Sequence, residues 1–83
     1  MTERHAPYLV PAGEIAVRIA LLRSALADRS IAAAWIEHLT DRVYFSGSAQ
    51  DGVLLVPVQG DPVFLVRKSA TRARSESSLE VQP

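Results

Sequence analysis

The side chains able to do chemistry are few and scattered. His5 stands near the N-terminus, and His38 follows Glu37 directly. In an extended segment neighbouring residues project to opposite faces, so Glu37 and His38 do not form a chelating pair. Ser46, Ser48 and Asp51 can be imagined around His38 as a catalytic group. Their spacing does not require it, and turns select the same residue types because these side chains bond their own backbone. The chain carries no His-Glu-x-x-His pair, nucleophile elbow, Walker loop or dinucleotide fingerprint. The segment G-S-A-Q-D-G at 47–52 has two glycines, but it precedes an expected strand instead of opening a helix, so it is no phosphate cradle. Arg67, Lys68, Arg72 and Arg74 form the one basic cluster. With no aromatics between them, they read as a solvated helix face whose stems lie over the sheet. No residue is expected to be catalytic or to bind metal.

Composition narrows the classes further. Eighty-three residues suffice for one small domain, and 48% hydrophobic with 22% charged residues is a globular balance. Nine basic and nine acidic side chains cancel, which argues against a nucleic-acid or anionic-membrane binder. The absence of cysteine removes disulfides and thiolate metal sites. No run has the length of a membrane span, and the N-terminus has no secretory apolar stretch, so a cytoplasmic protein is expected.

Any site must be positioned by a core, and the clearest core signal is 52–67, G-V-L-L-V-P-V-Q-G-D-P-V-F-L-V-R. Two apolar runs, Val53–Val56 and Val63–Val66, flank a segment of turn formers and read as two strands buried on both faces. Their connection is too short for a crossover helix, so an antiparallel hairpin is expected. Upstream, Ile15, Ile19, Leu22 and Leu26 are spaced as one face of a helix over 13–29, with Glu14 and Arg18 paired at i,i+4. Ser30 stands after this helix where glycine is the usual stop.

Residues 31–37, I-A-A-A-W-I-E, are expected as a third strand, with Trp35 and Ile36 on opposite faces. A short helix is expected over 39–45, with Thr40 as N-cap and Gly47 as stop, then a polar loop over 46–52. Ser69 should cap a last helix to about Ser77, with Ala70 and Ala73 inward and Arg72 paired with Glu76. Leu79–Val81 looks like the start of another strand. That would leave three strands with exposed edges, an arrangement natural domains usually protect.

Several strings, in this order, resemble the creatinase/prolidase N-terminal domain, which precedes the pita-bread metallopeptidase domain of Xaa-Pro aminopeptidases and dipeptidases. They are V-P-A-G-E-I-A-V-R-I-A-L-L-R at 10–23, R-V-Y-F-S-G at 42–47, D-G-V-L-L-V-P at 51–57, G-D-P-V-F-L-V-R-K-S at 60–69 and R-A-R-S-E-S at 72–77. The resemblance implies an α/β fold, a mixed sheet with helices on both faces, related to ribonuclease H. Residues 1–83 would be a single domain, only the first part of the family's, with no catalytic domain present. Ser30, often glycine in the family, and Trp35, usually a smaller aliphatic, are departures.

The same resemblance implies that metal ligands belong to an absent catalytic domain, where a divalent metal pair activates water for cleavage before proline. No cofactor is expected in this chain. The module would support homo-oligomerisation and reach over a neighbouring subunit's active site, so peptide substrate would be met only through the parent enzyme. By motif position the capping segment follows Y-F-S-G, with Tyr44, Ser46, Gln50 and Asp51 as candidate contacts. An ordinary turn capped by Ser and Asp explains the same residues. Two alternatives stand beside this: a free-standing module that dimerises through an open sheet edge, and a small nucleic-acid-binding regulator using the 67–74 cluster.

Overall fold

The computed structural model describes residues 9–83. His5, Tyr8 and most of the irregular segment expected ahead of the first helix lie outside the described residues.

Helix α1, Ala12–Asp28, buries Ile15, Ile19 and Leu26 and half-buries Leu22, the four positions its periodicity marks. Its end shows why Ser30 is unusual. The Ser30 N–H donates to the Ala27 carbonyl and the Ile31 N–H to that of Leu26 at 2.9 Å, a Schellman motif. That motif needs a left-handed residue, and Ser30 has φ 57°. Strand β1 follows as Ala33–Ile36, shorter at both ends than expected.

Helix α2, Leu39–Ser46, begins two residues earlier than a Thr40 cap would allow. His38 occupies the N-cap position, and its carbonyl accepts the Arg42 N–H at 2.8 Å. Thr40 is therefore inside the first turn. Gly47 closes the helix at φ 83°, as anticipated from its lack of Cβ.

The hairpin forms as expected: β2, Gly52–Pro57, pairs antiparallel with β3, Val63–Val66. Gly52 lies opposite Val66, where a Cβ would come within 2.1 Å of the Leu65 carbonyl oxygen, so no side chain fits. Helix α3, Ala70–Glu76, buries Ala73 and half-buries Ala70. Ser69 does hold the N-cap position, but at φ 62° and without a side-chain capping bond, so the expected cap is absent. The expected Arg72–Glu76 pair also does not form, because Glu76 turns toward the loop before β2.

Strand β4, Glu80–Gln82, runs parallel to β3, giving a mixed four-stranded sheet in the order β1-β2-β3-β4. Alternate residues of these strands divide sharply. Ala34, Ile36, Leu54, Val56, Phe64, Val66 and Val81 meet Ile15, Ile19, Phe45 and Ala73 in one apolar cluster. All three helices thus contribute to one side of the sheet.

The expectation of strands buried on both faces is only partly met. Trp35, Val53, Leu55, Val63 and Leu65 point the other way, where no described helix packs. Trp35 is 60% exposed. Val53 is buried among its strand neighbours, and the three others are half-buried.

Candidate functional site

The end of α2 and the segment joining it to β2 carry the residues singled out by sequence, Tyr44 and Ser46 in the helix and Gln50 and Asp51 after it, and the fold fastens them tightly. Ser46 is fully buried: its hydroxyl donates to the Arg42 carbonyl at 2.6 Å and accepts the Ser48 N–H at 3.1 Å. The buried Ser48 hydroxyl donates to Glu76 Oε1 at 2.7 Å and accepts the Gln50 N–H at 3.2 Å. Gln50 Nε2 donates to the same carboxylate at 3.2 Å. One acid on α3 therefore anchors two residues of the loop, each bond charge-assisted.

Two of the four singled-out residues stay accessible. Tyr44, 48% exposed, lies under the Arg18 guanidinium, whose carbon sits 4.2 Å from the ring centroid. Arg18 also donates to the Tyr44 carbonyl at 2.9 Å and to Glu14 at 3.1 Å, the i,i+4 pair read from sequence. Asp51 accepts from Arg67 at 3.3 Å on the surface, and its carbonyl accepts the Arg67 N–H at 3.0 Å. Tyr44 and Asp51 thus sit at the two ends of the segment, with Ser46 turned inward and Gln50 half-buried between them.

The imagined hydroxyl–acid–base group does not assemble. His38 is exposed and lies 4.0 Å from Asp41, while Ser46 and Ser48 are enclosed with Glu76. The basic cluster is divided as well: Arg67 bonds Asp51 and Arg74 donates to the Val81 carbonyl at 3.3 Å. Among the described residues no three His, Asp or Glu side chains come together. This donor set does not fit a divalent metal pair, and no reaction step can be routed through one here. An open cleft of about 510 Å³ beyond the end of α1 is lined by Ala27, Ser30, Ile31, Ala32, Val58 and Gln59, none of which ionises. No described helix is long and apolar enough to cross a membrane.

Glu76 escaped sequence reasoning. Its loop partners lie 26 and 28 residues away, and its local spacing from Arg72 pointed to a different bond. A carboxylate facing two small polar residues across a fold leaves no periodic signal.

Comparison with known proteins fixes the family. The sequence profile of the creatinase/prolidase N-terminal domain matches residues 18–82. No curated protein is significantly similar in sequence. Among solved structures, the creatinase/prolidase N-terminal domain of an X-Pro dipeptidase from Streptococcus pyogenes aligns with a TM-score of 0.72 and 21% identity, over 80% of this chain and 58% of that one. Dipeptidase PepE from Mycobacterium ulcerans aligns at 0.76 and 21% identity, over 90% of this chain and 23% of that one. An Xaa-Pro aminopeptidase from Streptococcus pyogenes aligns at 0.74 and 17% identity, over 87% and 57%. The chain therefore spans just under three-fifths of two of these neighbours and about a quarter of the third. With its mixed sheet, its helix order and this profile match in agreement, the chain belongs to the creatinase/prolidase N-terminal domain family.

Proposed function

We propose that the chain is a non-catalytic module of an Xaa-Pro metallopeptidase of the cytoplasm, serving subunit association and the capping of a neighbouring active site. The observation that supports the capping role most is the fastening of residues 46–51 by Glu76. A segment that limits substrate length must resist displacement by peptide, and a loop with its hydroxyls buried and bonded meets that need. Tyr44, steadied by Arg18, and Asp51 are the residues it presents outward. Bond cleavage, with its divalent metal pair, is assigned to a separate catalytic domain of the parent enzyme.

The experiment has two arms. The 83-residue chain is assayed on Xaa-Pro dipeptides with divalent metals, and no turnover is expected; chelator-sensitive hydrolysis by this chain alone would overturn the reading. In the parent peptidase, Tyr44→Ala should change the ratio of kcat/KM for dipeptides against longer peptides by several-fold. An unchanged ratio removes the capping role.

A further inference from the structure

The aspartates of this chain differ in the amide that follows each of them. After Asp28, the Arg29 N–H donates to the Leu26 carbonyl at 3.1 Å, and after Asp41, the Arg42 N–H donates to that of His38 at 2.8 Å. Asp61 precedes Pro62, which has no N–H. Asp51 precedes Gly52, and this is the one Asp-Gly pair in the sequence. The Asp51 carbonyl accepts the Arg67 N–H, so the backbone groups of Asp51 face β3 and those of Gly52 face away from it. On that other side the ladder with β1 ends at Leu54, opposite Ile36. The Gly52 N–H therefore lies outside both ladders formed by the described residues.

A side chain at position 52 would crowd this nitrogen and slow attack by it. The close approach of β3 that excludes a Cβ there also excludes that protection. Packing thus dictates the glycine, and the exposed Asp51 supplies the carboxyl beside it.

We propose that Asp51–Gly52 is a site of spontaneous isomerisation of the main chain to isoaspartate, restrained by Arg67. The Gly52 nitrogen bonds to the side-chain carboxyl carbon of Asp51, its proton goes to solvent, and the carboxyl hydroxyl leaves as water. Water then opens the resulting succinimide. Opening at the side-chain carbonyl restores aspartate, and opening at the main-chain carbonyl gives isoaspartate. Nothing is oxidised or reduced, and the mass is unchanged. The main chain gains one methylene at the entry to β2, and the carboxyl that Asp51 presents outward moves.

Arg67 opposes ring closure in two ways. Closure requires rotation about the Cα–C bond of Asp51, which breaks the 3.0 Å bond from the Arg67 N–H to the Asp51 carbonyl. It also requires the side chain to swing to the Gly52 nitrogen, whereas the Arg67 guanidinium holds the carboxylate toward β3 at 3.3 Å. Gly52 is itself buried, so the reaction waits on local opening of this end of the hairpin.

The test follows isoaspartate at residue 51 in the 83-residue chain, kept native in warm, near-neutral buffer or unfolded in urea. Chromatography and electron-transfer fragmentation of the tryptic peptide beginning at Val43 read it. Conversion should be at least about tenfold slower in the native chain than in the unfolded one. Arg67→Ala should speed native conversion about two- to fivefold, the range of one surface ion pair, with circular dichroism unchanged. Arg67→Gln, which keeps the stem and loses the charge, should do the same and carries the comparison if Arg67→Ala does not fold. Asp51→Glu should abolish the signal, because its ring would need one more atom. Equal rates in native and unfolded chains, or an Arg67 variant no faster than the unaltered chain, overturns the restraint. Isoaspartate absent from the native Arg67 variants when half of the unfolded chain has converted overturns the site. The capping role of residues 44–51 does not enter this experiment and is untouched by either failure.

Discussion

The two sides of this sheet are built from alternating residues of the same strands and yet have opposite characters. Leu54 and Phe64 are fully buried under the helices, while Leu55 and Val63, each one residue away, are only half-covered. The strand backbone is common to both, so the difference lies in what the rest of the chain places against each side. Here α1, α2 and α3 all go to one side. The hydrophobic effect therefore stabilises this fold mainly through one layer of contacts and leaves the second apolar surface half-covered among the described residues.

The sharpest test of that contrast is to cut one large side chain from each side. Phe64→Ala should cost about 3–5 kcal/mol in urea unfolding, because its ring is wholly enclosed. Leu65→Ala, on the half-covered side, should cost less than half of that, read on dilute monomer. Equal losses would mean that the two sides are equally packed and would break the comparison. Gly52→Ala comes next, at more than about 2 kcal/mol, because its Cβ would collide with backbone on β3 and push the hairpin apart. Thermal unfolding of this variant measures it.

Glu76→Ala tests the loop instead of the sheet. It leaves the buried Ser48 hydroxyl without its acceptor, so a loss of about 1–2 kcal/mol is expected. Faster amide exchange confined to residues 47–51 should accompany it. The smallest effect is a gain. Ser30→Gly relieves a left-handed serine at the end of α1, offset by the greater freedom of glycine in the unfolded chain. The net should be about 0.5 kcal/mol, visible as a rise in Tm.

How far these features were legible in the sequence depends on the range of the interaction. The α1 face, the hairpin and the Gly47 stop follow from local periodicity and turn chemistry, and all three are present. Ser30 was marked by the absence of glycine alone, and its φ bears that out. Thr40 and Ser69 misled for one shared reason. Either residue type can cap a helix, but the backbone turned at His38 in one case and took a left-handed conformation at Ser69 in the other. The continuous apolar run V-L-L-V could not tell which side of β2 would be covered, since a strand covered on both sides and one with a half-covered apolar side read alike. Trp35 beside two alanines and Ile36 correctly separated the two sides of β1 without showing that one would remain open. The Glu76 anchor depends on tertiary placement and left no trace in spacing.

One side of the sheet is a finished core, and the other is only half-covered by the described residues. Acrylamide quenching of Trp35 in dilute native chain tests it most directly, since the signal comes from a single residue on the half-covered side. The account predicts strong quenching of the native chain, close to that of the urea-unfolded chain, because Trp35 is 60% exposed. Weak quenching of the native chain that rises several-fold on unfolding would contradict it.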